Sequence, residues 1–203
     1  MNILFFDTET TGLLDWKAPY FAPHQPELVQ LGAILTDENL KERARIDVIV
    51  LPDGDIPEKA SSVHGVTKDV ADRFAVSRSA ATLLFDDLLC VADRIVAHNA
   101  DYDIPVMRRA FYMENRSQHG FDEVEIVCTK LSATPICRIL KSNARHHADF
   151  KWPSLDEAHR YFFDRGVENA HNAIVDVEAC KAVYAELARM DALLVRPAAT
   201  RRD

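Results

Sequence analysis

The sequence predicts an α/β fold in which one mixed, five-stranded sheet carries helices on both faces. Five short apolar or β-branched runs suited to strands occur along the 203 residues. The first three follow one another closely, and two of them can form a hairpin. The later runs alternate with segments that show helical spacing. A hairpin followed by alternating strands and helices is most economically built as a single sheet covered by helices.

Composition indicates one globular domain. Of the 203 residues, 48% are hydrophobic and 28% charged, and four are widely scattered cysteines, which indicate neither a disulfide framework nor a zinc ribbon. We expect a single domain over residues 1–195 and a short basic tail over residues 196–203. No apolar run is long enough to cross a bilayer and no signal peptide is visible, so a cytoplasmic location without membrane contact is expected.

The first half of the chain contains the predicted hairpin. Four apolar residues at positions 3–6 form the first strand, and a proline-rich stretch with three aromatic residues over 13–26 is typical of a long loop. Residues 28–36 and 44–50 form the next two strands. Because the second of these alternates apolar and polar residues, it is expected nearer the sheet edge.

The second half alternates helices with strands. Pro57 in a first turn and Gly65 at the end bound one short helix, and Thr67 caps the next. Helical spacing continues over residues 80–91 and again around Met107, with strands predicted at 94–97 and 124–127. Further helices are predicted at 130–141, 154–163 and 172–190.

An acidic pair ends the first strand. Asp7 and Glu9 are two residues apart, so a strand places them on the same face. Two carboxylates held close together repel unless they share a proton or a metal ion, and hard divalent cations prefer oxygen ligands. The pair alone is also compatible with a simple turn, since Asp176 and Glu178 repeat the spacing.

Two further carboxylates, Asp103 and Asp176, are the last residues of H-N-A-x-x-D segments at residues 98–103 and 171–176. Asp103 shares a helical face with the apolar residues Met107, Ala110 and Phe111, and Asp176 lies beside an equally apolar stripe. Each could instead be a favourable charge at a helix N-terminus. Four inward-facing carboxylates nevertheless predict a metal site, with magnesium or manganese favoured over zinc.

The two histidines of these segments have different expected roles. His171 can face the same site as Asp176 if it lies in the lead-in to the helix, where an imidazole is suited to take a proton from a metal-bound water. His98 follows a strand, which favours packing or a backbone hydrogen bond. Zinc bound through His98 and His171 is an open alternative.

Residues 7–13, 98–103 and 171–176 together resemble the three motifs of the DEDDh, or DnaQ-like, family of 3′-to-5′ exonucleases, and Val63–Thr67 resembles a segment between the first two. The resemblance implies a ribonuclease H-like fold and two divalent ions, Mg²⁺ or Mn²⁺. It further implies that Asp7, Glu9, Asp103 and Asp176 bind the metals and that His171 is the general base.

The resemblance implies hydrolysis of terminal phosphodiesters at nucleic-acid 3′ ends, releasing 5′-mononucleotides. We expect DNA, in single-stranded form, as the substrate. An RNA 3′-exonuclease of the RNase T or oligoribonuclease type and a catalytically silent nucleic-acid-binding module are the alternatives. The polymerase-binding tail of the family's proofreading subunits is not evident, so a stand-alone nuclease is expected, of unknown oligomeric state.

Five residues near the motifs are candidate substrate contacts: Thr10, Gly12, Leu13, His98 and Asn99. Leu13 either wedges against the terminal base or is a core leucine. The aromatic residues between Trp16 and Phe21 either pack into the core or stack on unpaired bases.

The formal net charge of −8 disfavours broad phosphate neutralisation by the protein. The strongest basic concentration lies between Lys130 and Lys151. If that stretch is helical to its end, Arg138, Lys141 and Arg145 form one stripe that could follow the phosphates of the substrate. A solvated helix face is the alternative.

Overall fold

One mixed sheet organises the chain. The computed structural model describes residues 1–144, 146 and 149–199. Within them the strands are β1 (Ile3–Thr10), β2 (Leu28–Thr36), β3 (Glu42–Ile49), β4 (Arg94–Ala97), β5 (Glu125–Cys128) and β6 (Val195–Arg196). Their order is β3-β2-β1-β4-β5-β6. The pairs β1·β4 and β4·β5 are parallel and the other three are antiparallel.

Helices cover both faces of the sheet. Over the described ranges they are α1 (Glu58–His64), α2 (Lys68–Phe74), α3 (Arg78–Val91), α4 (Ala100–Met113), α5 (Thr129–Cys137), α6 (Leu155–Phe163) and α7 (Ala173–Arg189), with a 3₁₀ helix at His119–Asp122. Gly65 ends α1 in the left-handed conformation, at φ 76°, and the Thr67 hydroxyl accepts the Val70 N–H at the start of α2. Both predicted helix boundaries are confirmed.

The two faces of β1 belong to different parts of the core. Leu4 and Phe6 pack with residues of α3 and α4, whereas Ile3 and Phe5 pack with residues of α7. This alternation follows from the twofold repeat of a strand. The central position of β1 therefore brings α4 and α7 to opposite sides of the same strand end.

The predicted fold class is confirmed, and β3 lies at the sheet edge as expected. The predicted number of five strands was one too few, because Val195–Arg196 pairs with β5. Arg196, assigned from the sequence to a basic tail, also donates a hydrogen bond of 2.8 Å to Asp101. A two-residue strand carries too little pattern to be recognised before its neighbour is known.

The predicted helix over residues 130–141 is shorter in the structure. Helix α5 ends at Cys137, and Arg138 adopts the left-handed conformation at φ 49°. Beyond it, Leu140 pairs with Phe150 in an antiparallel bridge, which places Phe150 and the residues that lead into α6 beside the end of α5. Among the described helices, none is long and apolar enough to cross a membrane.

Candidate active site

Asp7 and Glu9 lie at the C-terminal end of β1, on the strand face that α7 covers. They continue the alternation of Ile3 and Phe5, which pack against that helix. The regular pairing of β1 with β2 shifts by one residue between Glu9 and Thr10. The carboxylates therefore stand where the sheet opens, as ligand sites in open α/β sheets usually do.

Asp103 reaches this strand end from α4, on the other side of β1. Its carboxylate is 3% exposed, and its Oδ1 accepts hydrogen bonds from the Thr8 amide at 3.2 Å and the Thr8 hydroxyl at 2.7 Å. Thr8 thus holds Asp103 beside Asp7 and Glu9, its own neighbours on β1. The predicted inward orientation of Asp103 is confirmed.

Asp176 is brought to the site by a close approach of α7 to the sheet. Gly32 of β2 pairs with Asp7, and a Cβ atom on Gly32 would lie 2.5 Å from the Ala173 carbonyl carbon. Gln30 Oε1 accepts the Ala173 N–H at 3.2 Å. Only glycine lets the first turn of α7 lie against the strand, which brings Asp176 towards Asp7. A glycine inside a fully buried strand was the sequence signal for this contact.

Burial raises the pKa of all four carboxyl groups, which we call the acidic cluster, and mutual repulsion adds to the increase at Asp7 and Glu9. Burial raises the pKa of Asp7 well above its usual range, with further increases from Asp103, Asp176 and Glu9. Burial, Asp176 and Asp103 raise the pKa of Glu9 to about 8. Burial raises the pKa of Asp103 to about 7 despite the hydrogen bonds from Thr8, and it also raises the pKa of Asp176. Negative charge at this position therefore requires compensation.

The acidic cluster fits a divalent cation. Glu9, His171 and Asp176 each offer one potential ligand atom, and these atoms lie within 4.8 Å of one another. Asp176 Oδ1 is buried and has no hydrogen-bond partner among the described residues. A buried oxygen without a donor, next to carboxylates that repel it, is suited to a hard cation.

His171 lies in the lead-in to α7, as predicted. It is exposed, and its backbone has the left-handed φ of 66°. Its N–H donates a 3.0 Å hydrogen bond to Asp176 Oδ2. A left-handed backbone is strained in a residue other than glycine, and the hydrogen bond to Asp176 holds His171 in it. This conformation places the imidazole at the solvent-facing edge of the acidic cluster.

His98 is occupied by structural contacts. Its buried ring lies 2.9 Å from the Thr129 hydroxyl through Nδ1 and 3.1 Å from the Pro153 carbonyl oxygen through Nε2. Since a carbonyl oxygen only accepts, Nε2 carries the proton and Nδ1 accepts from Thr129. Both ring nitrogens are therefore engaged, so a zinc ion shared by His98 and His171 and a substrate contact through the His98 ring do not fit this structure.

An open cleft of about 580 Å³ borders the acidic cluster. Four predicted substrate contacts line it: Thr10, Gly12, Leu13 and Asn99. Leu13 is 83% exposed, which rules out the alternative of a core leucine. The cleft also contains side chains that the predicted contacts omitted, namely Pro57, Lys59, Ala60, Val63, His64 and Tyr102. The V-H-G-V-T segment was the signal for two of these.

The predicted basic stripe does not form. Arg138 lies past the end of α5 and donates a 3.1 Å hydrogen bond to the Pro135 carbonyl. Lys141 forms an ion pair with Asp149 at 2.5 Å, and Arg145 lies outside the described residues. Without a continuous helix the spacing of these residues no longer places them on one face.

The aromatic loop after β1 is ordered by two buried polar side chains. Gln25 Nε2 donates to the carbonyl of Asp15 at 2.8 Å, and Arg109 Nη1 donates to that of Ala22 at 2.8 Å. Trp16 is 67% exposed and packs edge-on against Tyr102, with 6.4 Å between ring centroids. Core packing of Trp16 was therefore the wrong alternative.

Strand β1 and helices α4 and α7 thus place the acidic cluster beside an open cleft. The exposed imidazole of His171 lies at the edge of that cluster. Comparison with protein families agrees with this arrangement, because the family model described as Exonuclease matches residues 4–184. The chain belongs to the exonuclease family. The acidic cluster, His171 and all of the cleft-lining residues fall within the matched range. Exonucleases of this family depend on metal ions.

Individual relatives are more distant. A DNA polymerase III subunit epsilon-like protein of Rhodobacter capsulatus is 27% identical over 92% of this chain, which covers 24% of that protein. The DNA polymerase III subunit epsilon of Buchnera aphidicola subsp. Schizaphis graminum is 22% identical, with 90% of this chain and 72% of that protein covered. The chain thus spans about a quarter of the first relative.

Solved structures show the same fold. Escherichia coli exonuclease I in complex with a dT13 oligonucleotide superposes with a TM-score of 0.72 at 20% identity, over 93% of this chain and 41% of that chain. Exonuclease I from Methylocaldum szegediense superposes with a TM-score of 0.65 at 19% identity, over 93% of this chain and 40% of that one. The chain therefore has the fold of these exonuclease I structures.

Proposed function

We propose that this chain is a metal-dependent 3′-to-5′ exonuclease that releases 5′-mononucleotides from DNA, preferably from single-stranded ends. The observation that carries the proposal is the acidic cluster, in which β1, α4 and α7 bring four buried or half-buried carboxylates together beside an open cleft. Such a cluster is costly unless cations occupy it. The resemblance of its residues to the DEDDh motifs supports the 3′-to-5′ direction.

In this proposal the acidic cluster holds Mg²⁺ or Mn²⁺. Divalent ions there would stabilise the negative charge on the attacking and leaving oxygens of the phosphodiester. Carboxylate oxygens dominate the available ligands, which favours these ions over zinc. His171 lies within 4.8 Å of two potential ligand oxygens, so a zinc arm belongs in the experiment.

The protein's own residues then bind the terminal nucleotide and move one proton. His171 stands exposed at the edge of the acidic cluster and takes the proton of the attacking water. The cleft receives the terminal nucleoside, with Leu13 and Val63 offering apolar surface and the Asn99 amide a polar contact. Tyr102 donates a 2.8 Å hydrogen bond to the Gly12 carbonyl, which fixes the backbone beside Leu13.

Similarity to proteins that act on or bind DNA favours DNA over RNA as the substrate. Both curated relatives are DNA polymerase III epsilon or epsilon-like proteins, and the similar exonuclease I structures hold the oligonucleotides dT13 and dA16. DNA is therefore the first substrate to test, with RNA as the alternative outcome.

The test is digestion of matched DNA and RNA, single- and double-stranded, labelled at the 5′ or the 3′ end. We expect a 3′-labelled single-stranded DNA to release labelled mononucleotide at once, and a 5′-labelled strand to shorten stepwise. Chelation should stop both, with Mg²⁺ or Mn²⁺ restoring more activity than Zn²⁺. Asp103→Asn should abolish turnover. Asp101→Asn, an exposed carboxylate two residues earlier on α4, is the matched control. Full activity in excess chelator would refute the proposal.

A further inference from the structure

Trp152 is an exposed indole beside the cleft that the proposed chemistry does not use. Its side chain is 64% exposed. Lys130 Nζ lies 4.6 Å from the centre of its ring and 2.5 Å from Oδ1 of Asn99, and Asn99 lines the cleft. Two short contacts therefore connect the indole to the cleft.

The backbone on both sides of Trp152 is fixed. The Lys151 N–H donates to the Ile139 carbonyl at 2.8 Å, and the Pro153 carbonyl accepts from the buried ring of His98 at 3.1 Å. Ser154 then begins α6 with a capping box. Because the surrounding backbone is held, a ligand that stacks on the indole would not have to order this segment first.

Lys130 gives the Trp152 surface a positive charge. The lysine lies over the face of the indole, where the ring quadrupole attracts a cation. No carboxylate among the described residues lies within ion-pair distance of its Nζ, in a chain of formal net charge −8. Its side-chain hydrogen bond goes to the uncharged amide of Asn99. An exposed aromatic ring beside a cation is the combination that binds a base and its phosphate.

We propose that Trp152, supported by Lys130, is a stacking platform for an unpaired base upstream of the terminal nucleotide. The inference rests on the proposed function: if the cleft holds the 3′-terminal nucleoside, a base that reaches Trp152 outside the cleft belongs to a nucleotide on its 5′ side. A base within a duplex has both faces covered by its neighbours. The platform therefore selects single-stranded ends, a preference that the acidic cluster alone does not explain.

Activity on substrates of different length tests the platform. Trp152→Ala should lower kcat/KM on single-stranded dT8 about 5- to 150-fold, the equivalent of about 1 to 3 kcal/mol per stacked base. It should change turnover of the nitrophenyl ester of thymidine 5′-monophosphate, which has only one nucleotide, less than twofold. Trp152→Phe should restore most of the loss on dT8. Equal activity of wild type and Trp152→Ala on dT8 would overturn the proposal.

Phe74 provides a matched control. Its ring is 65% exposed and has the Arg73 guanidinium 5.2 Å from its centre. Unlike Lys130, Arg73 has no side-chain hydrogen bond to a cleft-lining residue among the described residues. Phe74→Ala removes an equally exposed, cation-supported ring and should leave activity on both substrates unchanged. A loss equal to that of Trp152→Ala would indicate a general effect of surface aromatic residues and contradict the assignment.

Fluorescence tests the contact without turnover. The chain has two tryptophans, so Trp16→Phe leaves Trp152 as the reporter, and a His171→Ala background slows consumption of the substrate. We expect dT8 to quench the emission and thymidine 5′-monophosphate to leave it unchanged. Binding of dT8 by anisotropy without quenching would refute stacking. If the wild type hydrolyses no substrate while dT8 still quenches the emission, the proposed function fails and the platform stands.

Discussion

Replacing Glu9 by glutamine is expected to stabilise the metal-free protein at neutral and alkaline pH while abolishing hydrolysis. Glutamine keeps the size of the side chain and removes its charge. Burial, Asp176 and Asp103 raise the pKa of Glu9 from 4.5 to about 8. At about 1.4 kcal/mol for each pKa unit, the upper limit of the stabilisation is about 5 kcal/mol. Because Glu9 borders the open cleft, where water screens its charge, we expect about 2 to 3 kcal/mol.

The effect has a defined pH dependence. The folded protein holds a proton on Glu9 more tightly than the unfolded chain does, so the unfavourable contribution of Glu9 is absent below pH 4.5. It grows as the pH rises towards about 8, where the folded protein also loses the proton. Wild type should therefore lose stability relative to Glu9→Gln between these values. A bound divalent cation should reverse the loss in the wild type.

Urea unfolding in excess chelator at pH 5 and pH 8 measures this difference. The free energies of unfolding should differ by less than about 1 kcal/mol at pH 5 and favour Glu9→Gln by about 2 to 3 kcal/mol at pH 8. Millimolar Mg²⁺ or Mn²⁺ should then raise the stability of wild type more than that of the variant. Glu168→Gln, at an exposed glutamate between α6 and α7, should change stability by less than about 0.5 kcal/mol. A Glu9→Gln protein less stable than wild type at pH 8 would refute the electrostatic reasoning.

Three other substitutions test the general base, the placement of Asp176 and the substrate-binding surface separately. His171→Ala should lower kcat by about 10² to 10⁴, with metal-induced stabilisation largely kept; an unchanged kcat would exclude it as the base. Gly32→Ala should cost about 1 to 3 kcal/mol in urea unfolding and, by displacing Asp176, should also reduce kcat; normal activity would mean that α7 adjusts freely. Leu13→Ala should raise KM on DNA without changing the melting temperature, because Leu13 is exposed; an unchanged KM would remove it from the binding surface.

The acidic cluster could be predicted from the sequence because each of its residues has a local signature. Asp7 and Glu9 follow from the twofold repeat of a strand, and Asp103 and Asp176 follow from the spacing of apolar residues on a helix. These periodicities show which side chains turn inward without any knowledge of the partner element. The topology then brings α4 and α7 to the two faces of β1. The role of the acidic cluster in binding metal ions stays a prediction until metal binding is tested.

The contacts that position the acidic cluster could not be predicted in the same way. Gly32 and Gln30 act on the first turn of α7, at the other end of the chain. In a single sequence, a glycine in a buried strand indicates a close approach but does not name the approaching element. Thr8 appeared only as part of a motif, and its hydrogen bonds to Asp103 depend on how α4 packs.

The basic stripe failed for a related reason. Its prediction assumed that helical spacing continued past Cys137, whereas Arg138 ends α5 in a left-handed conformation that is more usual for glycine or asparagine. No residue type in the sequence marks that end. The bridge between Leu140 and Phe150 is a contact between two non-adjacent segments, and periodicity within one segment cannot reveal it.

The same fold-back gives the basic region a different use. The bridge and the Pro153 contact to His98 carry the chain back across the start of α5, where Trp152 meets Lys130. In the predicted helical stripe, the three basic side chains would lie along one face of a helix, at distances set by the helix rise. The folded segment instead pairs one cation with one aromatic ring next to Asn99 in the cleft. Substrate affinity should therefore depend more on the unpaired state of the DNA than on the number of phosphates neutralised, so its salt dependence should be shallow.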